Sequence, residues 1–201
     1  QDNRTGAGDI KYVDQNGDKQ ITVGKGSKAD YGDLLLLGSS APRYLFGFNL
    51  GFETHGFDFS AFIQGVGKRT FLAGSESVGP LLVTWKQAMG IHRDYWTPEN
   101  PNALFPRPFV GATHNFGTSD KWAFNGQYAR LKNIQLGYTL PNVLTKKIGV
   151  SKARVYVSGQ DILTVSAMGK FGTLFDPESA NNADNDYPYF STASIGLNLS
   201  F

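Results

Sequence analysis

Apolar residues alternate with small or polar ones along five stretches of the chain, as they do in β-strands. In RYLFGFNLGFE, every second residue from Tyr44 to Phe52 is aromatic or leucine, and glycine or asparagine fills most positions between them. The last stretch, SIGLNLSF, alternates in the same way up to Phe201. The other three stretches are FDFSAFIQGVG, YARLKNIQLGYTLP and ARVYVSGQDILTVS. We therefore predict an all-β fold with about five antiparallel strands.

The two faces of these strands differ in a way that indicates contact with lipid. The first strand carries only large apolar groups on one face, whereas the inner face of a soluble sheet must also interdigitate with a second layer. Strands of transmembrane β-barrels alternate between lipid-facing apolar residues and interior residues that are small or polar. The pattern favours a membrane barrel, and the alternative is a soluble β-sandwich.

Composition supports a folded, β-rich chain. Of its 201 residues, 40% are hydrophobic and 18% charged, which is typical of a folded protein. The 24 glycines and 9 prolines suit many turns. The net charge of +2 does not indicate a nucleic-acid partner, and the basic cluster from Lys146 to Arg154 is interpreted as solvated turn residues. The lack of cysteine excludes disulfides and thiolate metal sites in this chain.

Hydropathy excludes a helical membrane protein. No apolar run approaches the ~20 residues that a spanning helix needs. A β-barrel remains compatible, because its alternating strands leave overall hydropathy ordinary. The opening residues, QDNRTGAGDI, lack the basic start and apolar stretch of a signal peptide.

The connections between predicted strands alternate between short and long, as in bacterial outer-membrane barrels with short periplasmic turns and long outer loops. We accordingly predict an extracellular loop at 1–42, a hairpin at 43–66, a long extracellular loop at 67–127 and the last three strands at 128–201. Tyr138 and Phe201 would then lie at the inner interface, where aromatic belts occur.

Strict alternation places several charges on the apolar faces. Arg130 and Lys132 share parity with Ile134, and we expect them among the outer head groups. Asp161 shares parity with the apolar Val157, where a charge is unfavourable near the middle of the bilayer. A bulge near Gly159 would change that parity.

Seven segments in order resemble the C-terminal end of the SusC/RagA-type TonB-dependent outer-membrane transporters. The resemblance runs from about Gly8 to Phe201, and it is the ordered set that is specific. The segments are GDIKYVDQNGD, GFDFSAFIQGVGKR, DYWTPENPNALFPR, YARLKNIQLGYTLP, VYVSGQDILT, FDPE and IGLNLSF.

The resemblance implies a C-terminal portion of a large transmembrane β-barrel, of roughly 22 strands in the whole protein, whose plug domain is not in this chain. It implies import of nutrients across the outer membrane of a Gram-negative bacterium, with glycan oligosaccharides as the first expectation and peptides as the second. The implied partners are a SusD-like lipoprotein lid, TonB acting through a missing N-terminal region, the barrel-assembly machinery and outer-membrane lipid.

The terminal strand is interpreted as a closure and assembly device. In a barrel of this type the last strand pairs with the first. A terminal aromatic after alternating apolar residues resembles the signal that the assembly machinery reads. The predicted residues are Ile195, Leu197, Leu199 and Phe201.

One loop has a metal-like spacing. Asp14, Asn16 and Asp18 occupy the first, third and fifth places of a calcium loop, and the carbonyl of Gln20 would be seventh. Lys19 stands where such loops have glycine. We weigh calcium binding against an Asx-rich turn in an outer loop, and no other cofactor is predicted.

The long loop at 67–127 holds all three tryptophans. Trp85, Tyr95 and Trp96 are candidate contacts for a partner or for sugar, and the alternative is that these aromatics pack together to order the loop. The segment LLVTWKQAMGIHRDYW could form a short helix that ends before Pro98.

No catalytic motif is present, since the three histidines are scattered and HExxH and GxSxG are absent. Asp176 and Glu178 in FDPE are interpreted as turn residues rather than a glycosidase pair. We predict that the protein is not an enzyme. The principal functional alternative is a secreted β-sandwich that binds carbohydrate, and an outer-membrane barrel enzyme is a third possibility.

Overall fold

The computed structural model describes residues 5–82, 87–179 and 190–201, with the side chains of residues 76 and 77 excepted. The chain divides into two compact units. The sheet unit contains the described residues of 41–70, 125–179 and 190–201, and the loop unit contains those of 5–40, 71–82 and 87–124.

A five-stranded antiparallel sheet forms the sheet unit, in the order β1-β2-β5-β6-β7. Alternating apolar residues produce its long strands, because an extended chain presents successive side chains to opposite faces. The strands are β1 (Tyr44–Thr54), β2 (Phe57–Gly67), β5 (Tyr128–Thr139), β6 (Lys152–Ser166) and β7 (Thr192–Ser200). A turn at His55 and Gly56, both with positive φ, joins β1 to β2.

The connections carry the remaining regular structure of the described residues. A two-stranded sheet pairs β3 (Thr70–Leu72) with β4 (Ala123–Asn125). Two single-turn helices, α1 (Ser75–Val78) and α2 (Asn142–Thr145), lie in the connections after β3 and β5. The 3-10 turns are Gly90–Arg93, Thr113–Phe116, Asp120–Trp122, Lys146–Ile148 and Gly169–Thr173. Of the predicted helix around Trp85, the described residues show only the turn Gly90–Arg93.

The register of the sheet separates an apolar face from a polar face. Phe52 of β1 lies opposite Phe59 of β2, and Phe59 lies opposite Leu136 of β5. The same row continues through Val157 of β6 to Ile195 of β7. Directly opposed residues share a face, so the large apolar side chains gather on one side. Many of these side chains, including Phe52, Leu136 and Val157, are exposed, and Phe59 is partly buried. A β-sandwich would cover such a face with a second sheet. Apart from the five-stranded sheet, the described residues contain only the short strands β3 and β4.

The loop unit has an aromatic core. Trp122, Phe105 and Phe116 are fully buried, and ring centroids lie 5.8 Å apart for Phe105 with Trp122 and 5.4 Å apart for Phe116 with Trp122. The indole NH of Trp122 donates to the carbonyl of Asn115 at 3.0 Å. This packing orders a long connection that has little regular secondary structure.

In the described residues, no helix has both the length and the apolar character needed to cross a membrane.

Candidate functional site

A sheet irregularity places the charged residues of β5 and β6 away from the apolar face. The β2–β5 register shifts between Phe62 and Ile63, and the β5–β6 register skips Lys132. Arg130 therefore lies opposite Gln64 and Thr164 on the polar face. The prediction that Arg130 and Lys132 share the apolar face with Ile134 was wrong, because each extra residue at a bulge changes the parity of alternation.

The bulge also accounts for Asp161. Two residues of β6, Asp161 and Ile162, stand where β5 has only Lys132. Asp161 adopts φ 51°, and its carboxylate lies 3.2 Å from the ammonium group of Lys132. The charge that strict alternation placed against lipid is thus paired with a cation.

Arg130 is the centre of an ion-pair cluster. Its Nε donates to Thr164 Oγ1 at 2.8 Å, its Nη1 to Glu178 Oε2 at 2.7 Å and its Nη2 to both carboxylate oxygens of Asp176, at 2.7 and 2.6 Å. The Arg130 side chain is only 3% exposed, whereas those of Asp176 and Glu178 are 19% and 21% exposed. Charge-assisted bonds of this kind are the strong ones in proteins, because the fork geometry of arginine matches carboxylates.

Two further cations complete the cluster, which we call the FDPE clamp (Arg69, Arg130, Lys132, Asp161, Asp176, Glu178). Lys132 donates to Glu178 Oε2 at 2.7 Å. The Arg69 guanidinium donates to the carbonyls of Pro177 at 3.0 Å and Ser179 at 2.7 Å. The clamp therefore fixes the backbone from Asp176 to Ser179 against the sheet.

The clamp was missed from sequence. Asp176 and Glu178 were interpreted as residues of a simple turn, and their partners lie 46 and 48 positions away. The sequence feature that could have revealed the clamp is the pair of cations in ARLK, because Arg130 and Lys132 stand at positions that strict alternation assigns to the apolar face. Both carboxylates are occupied by the Arg130 guanidinium, so the arrangement does not present the two free acid groups of a glycosidase.

A second ion pair crosses the polar face near the β1–β2 turn. Arg154 of β6 forms a bidentate pair with Asp58 of β2, passing over Gly137 of β5. A side chain at Gly137 would meet both partners, so glycine is required for this close approach. The pair borders a polar cavity of about 550 Å³. Its lining includes Glu53, His55, Asp58, Gln135, Lys152 and Arg154.

In the loop unit, the segment after Gly8 is bound to the segment before Phe116. Arg107 donates to Asp9 at 2.7 Å, and the Asn115 amide donates to the other oxygen of the same carboxylate at 2.8 Å. Burial alone would raise the pKa of Asp9. Hydrogen bonds from Arg107, Asn115 and the backbone NH of Gly6 outweigh it, so the pKa of Asp9 lies below its ordinary value.

The predicted calcium loop folds as a set of Asx turns. Asp14 accepts the backbone NH groups of Gly17 at 2.6 Å and Lys19 at 2.8 Å, and Asp18 accepts that of Gln20 at 2.8 Å. Asn16 accepts the NH of Asp18 at 3.0 Å. Within the described ranges, no group of three His, Asp or Glu side chains is placed to hold a metal ion. Calcium binding by this loop remains a prediction.

The predicted contact residues of the long loop have different surroundings. Trp85 lies outside the described residues. Tyr95 is exposed, and its backbone forms an isolated bridge with Phe105. Trp96 is partly buried, with its ring against Gly8. Trp96 thus packs within the loop unit, and contact roles for Tyr95 and Trp96 remain predictions.

The predicted closure residues all lie on one strand face. Ile195 and Leu197 are opposite Val157 and Val155 of β6, so they belong to the apolar face, and they are exposed. Leu199 continues the same parity, and Phe201 follows the strand. Their role in closure and assembly remains a prediction.

Comparison with known proteins identifies the class of protein to which this sheet belongs. The chain is 30% identical over 214 residues to TonB-dependent receptor P26 and 28% identical over 207 residues to TonB-dependent receptor P3, both from Formosa agariphila. These alignments cover 96% and 94% of the chain but only 20% and 19% of the relatives. No family model matches the chain.

The structural comparison agrees. A solved structure of the RagAB peptide importer in its open-open state superposes with a TM-score of 0.65 and 26% identity, covering 94% of this chain and 20% of that one. The chain is a segment of a SusC/RagA-type TonB-dependent receptor. The predicted fold class is therefore confirmed: the five-stranded sheet is part of a TonB-dependent transporter barrel. The chain spans about a fifth of the length of the relatives it matches.

Proposed function

We propose that the whole protein is a TonB-dependent importer of oligomeric nutrients in a bacterial outer membrane, and that this chain supplies part of the barrel wall. The observation that carries the proposal is the five-stranded sheet with an exposed apolar face and a polar opposite face, which matches the RagAB peptide importer over 94% of the chain. The apolar face would meet lipid and the polar face would line the interior.

Backbone hydrogen bonding supports a longer wall. Among the described residues, β1 pairs only with β2 and β7 pairs only with β6. Unpaired strand edges are not tolerated in lipid, because each unmade backbone hydrogen bond costs several kcal/mol there. The two outer edges would therefore be paired in the whole protein. We propose that β7 pairs with another strand in the whole protein and that its apolar residues serve this closure. The terminal aromatic is the proposed assembly signal.

A lipoprotein lid and TonB are the proposed partners. The structural neighbours are importers named RagAB, which supports a two-component arrangement of barrel and surface protein. Binding would take place between barrel and lid, and TonB, energised from the inner membrane, would displace the plug and release the nutrient inward. The loop unit, with exposed Tyr95, is the proposed extracellular side.

Two substrate classes are open to test. The sequence resemblance favours glycan oligosaccharides. The peptide alternative is supported by the structural neighbours, which are a RagAB peptide transporter and a RagAB peptide importer. The polar face offers hydrogen-bonding groups to either class, since its residues include amides, hydroxyls and the Asp58–Arg154 pair.

The experiment is uptake by the source bacterium, in cells with the full-length gene intact or deleted. Defined pools of fluorescent oligosaccharides and peptides are supplied separately, and accumulation is measured with and without a protonophore. We expect one pool to accumulate only with the gene present and the inner membrane energised. If both pools accumulate in the deletion strain as much as in cells with the intact gene, import by this protein is refuted. Gene-dependent uptake that survives the protonophore would refute TonB dependence.

A further inference from the structure

The connection between β5 and β6, from Pro141 to Ser151, exposes three of its four large apolar residues, and the fourth, Val150, is buried. Val143, Leu144 and Ile148 are 75%, 54% and 74% exposed. The residue this connection buries most deeply is Thr145, at 1% exposed. Water-soluble turns normally expose their polar residues and bury their apolar ones.

The connection is folded rather than loose. The NH groups of Leu144 and Thr145 both donate to the Pro141 carbonyl, at 2.9 and 3.4 Å, and Val150 NH donates to the Thr145 carbonyl at 3.1 Å. Gly149, at φ 73°, ends the 3-10 turn in the left-handed conformation. The three apolar side chains are therefore held outward by a defined backbone.

The position of the connection continues the apolar face of the sheet. It joins the end of β5 to the start of β6, where Tyr138 and Val155 are opposed on that face. Tyr138 also packs against Phe57 with ring centroids 4.5 Å apart. Aromatic side chains of this kind gather at the boundary between membrane and water.

The charge of the connection completes the pattern. Lys146 and Lys147 lie between the exposed apolar residues, and both are exposed. The stretch from Pro141 to Ser151 contains no acidic residue. Exposed apolar groups beside lysines, without acids, suit a surface of apolar chains capped by anionic head groups.

We propose that this connection is a lipid-anchoring element. Val143, Leu144 and Ile148 enter the acyl boundary of the leaflet, while Lys146 and Lys147 bind the phosphates of anionic phospholipids. The inference rests on the membrane placement in the proposed function. It adds a specific lipid contact that fixes the depth of the wall in the bilayer.

Immersion depth measured by spin labelling tests the proposal. The full-length protein, with any cysteine outside this chain replaced, is reconstituted in bilayers and labelled at single sites: Val143→Cys, Ile148→Cys, Leu50→Cys on the apolar sheet face and Lys19→Cys in the loop unit. Collisions with oxygen report lipid exposure, and collisions with a water-soluble nickel complex report water. We expect Val143→Cys and Ile148→Cys to resemble Leu50→Cys, and Lys19→Cys to favour the nickel complex.

The outcomes separate the two proposals. If Leu50→Cys is lipid-exposed while Val143→Cys and Ile148→Cys are in water, the anchoring element is refuted and the wall stands. If Leu50→Cys is itself in water, the membrane placement fails and the anchor fails with it.

The lysines are tested by lipid retention. Native mass spectrometry compares phosphatidylglycerol bound to the full-length protein with that bound to a Lys146→Gln/Lys147→Gln variant. A basic residue near an anionic surface contributes a factor of about five, so we expect roughly 25-fold weaker retention at low salt when both lysines are replaced. The matched control is Lys25→Gln/Lys28→Gln, two exposed lysines of the loop unit. Equal loss in both double variants, or loss in neither, would overturn the lysine contact.

Discussion

The FDPE clamp gives the sharpest prediction, through the substitution Arg130→Met. The guanidinium makes four hydrogen bonds to Thr164, Asp176 and Glu178, and methionine keeps much of its length while removing all of them. Removing one partner of a buried ion pair costs about 3–5 kcal/mol. Because the two carboxylates are about one-fifth exposed, water recovers part of this loss. We expect about 2–3 kcal/mol of local destabilisation.

Hydrogen exchange in the full-length protein measures this effect at the clamp itself. The backbone NH of Glu178 donates to Asp176 Oδ1 at 2.8 Å, and that of Ser179 donates to the Asp176 carbonyl at 3.1 Å. A loss of 2–3 kcal/mol in local opening corresponds to exchange about 30 to 160 times faster at these two amides. The exposed Arg93→Met is the matched control, and it should leave them unchanged.

A rescue variant separates the charge from the packing. Combining Arg130→Met with Asp176→Asn and Glu178→Gln removes the uncompensated carboxylates, so a large part of the protection should return. Unchanged exchange in Arg130→Met alone would refute the idea that the ion pairs hold this segment. Fast exchange that persists in the triple variant would show that the shape of arginine, rather than its charge, is what matters.

Three other predictions concern separate parts of the chain. The pKa of Asp9 is lower in the folded protein than its ordinary value of 3.8, so its contacts contribute their full stability above pH 3.8 and lose it as the pH falls through the folded pKa. Cleavage by pepsin at the adjoining residues should therefore rise below pH 3.8 in the wild type, and an Asp9→Asn variant should lose this pH dependence. Gly137→Val should displace the Asp58–Arg154 pair and cost about 1–3 kcal/mol, seen as a lower unfolding midpoint of the barrel, whereas an unchanged midpoint would contradict the close approach. If the predicted calcium site exists, calcium should slow exchange in its loop and Asp14→Ala should abolish the effect; no response in the wild type would dispose of it.

Alternation predicted the strands well where one face is uniformly apolar. The stretches from Tyr44 to Phe52 and from Phe57 to Ile63 appear in β1 and β2, because period-two burial is a local property of sequence. The predicted alternation of faces was wrong at Lys132, because the bulge there depends on how β2, β5 and β6 pair. An extra residue there is favoured by the contact between Lys132 and Asp161, which no local pattern shows.

The candidate site was harder to predict for a related reason. The clamp joins residues from four separate stretches of the chain, and each stretch alone has an ordinary explanation. FDPE has the composition of a turn. A lone arginine before a strand is ordinarily interpreted as a solvated surface charge. Only the fold brings Arg69, Arg130 and Asp176 together. The short strands β3 and β4 were likewise missed, since three residues are too few to show a period.

The denatured intact mass of the native protein, extracted from its source cell envelope, tests the central claim most directly. The chain has a mass of 22.0 kDa and spans 19% and 20% of its relatives. The account predicts a protein of about five times 22.0 kDa in the outer-membrane fraction. A complete, soluble protein near 22.0 kDa would contradict it.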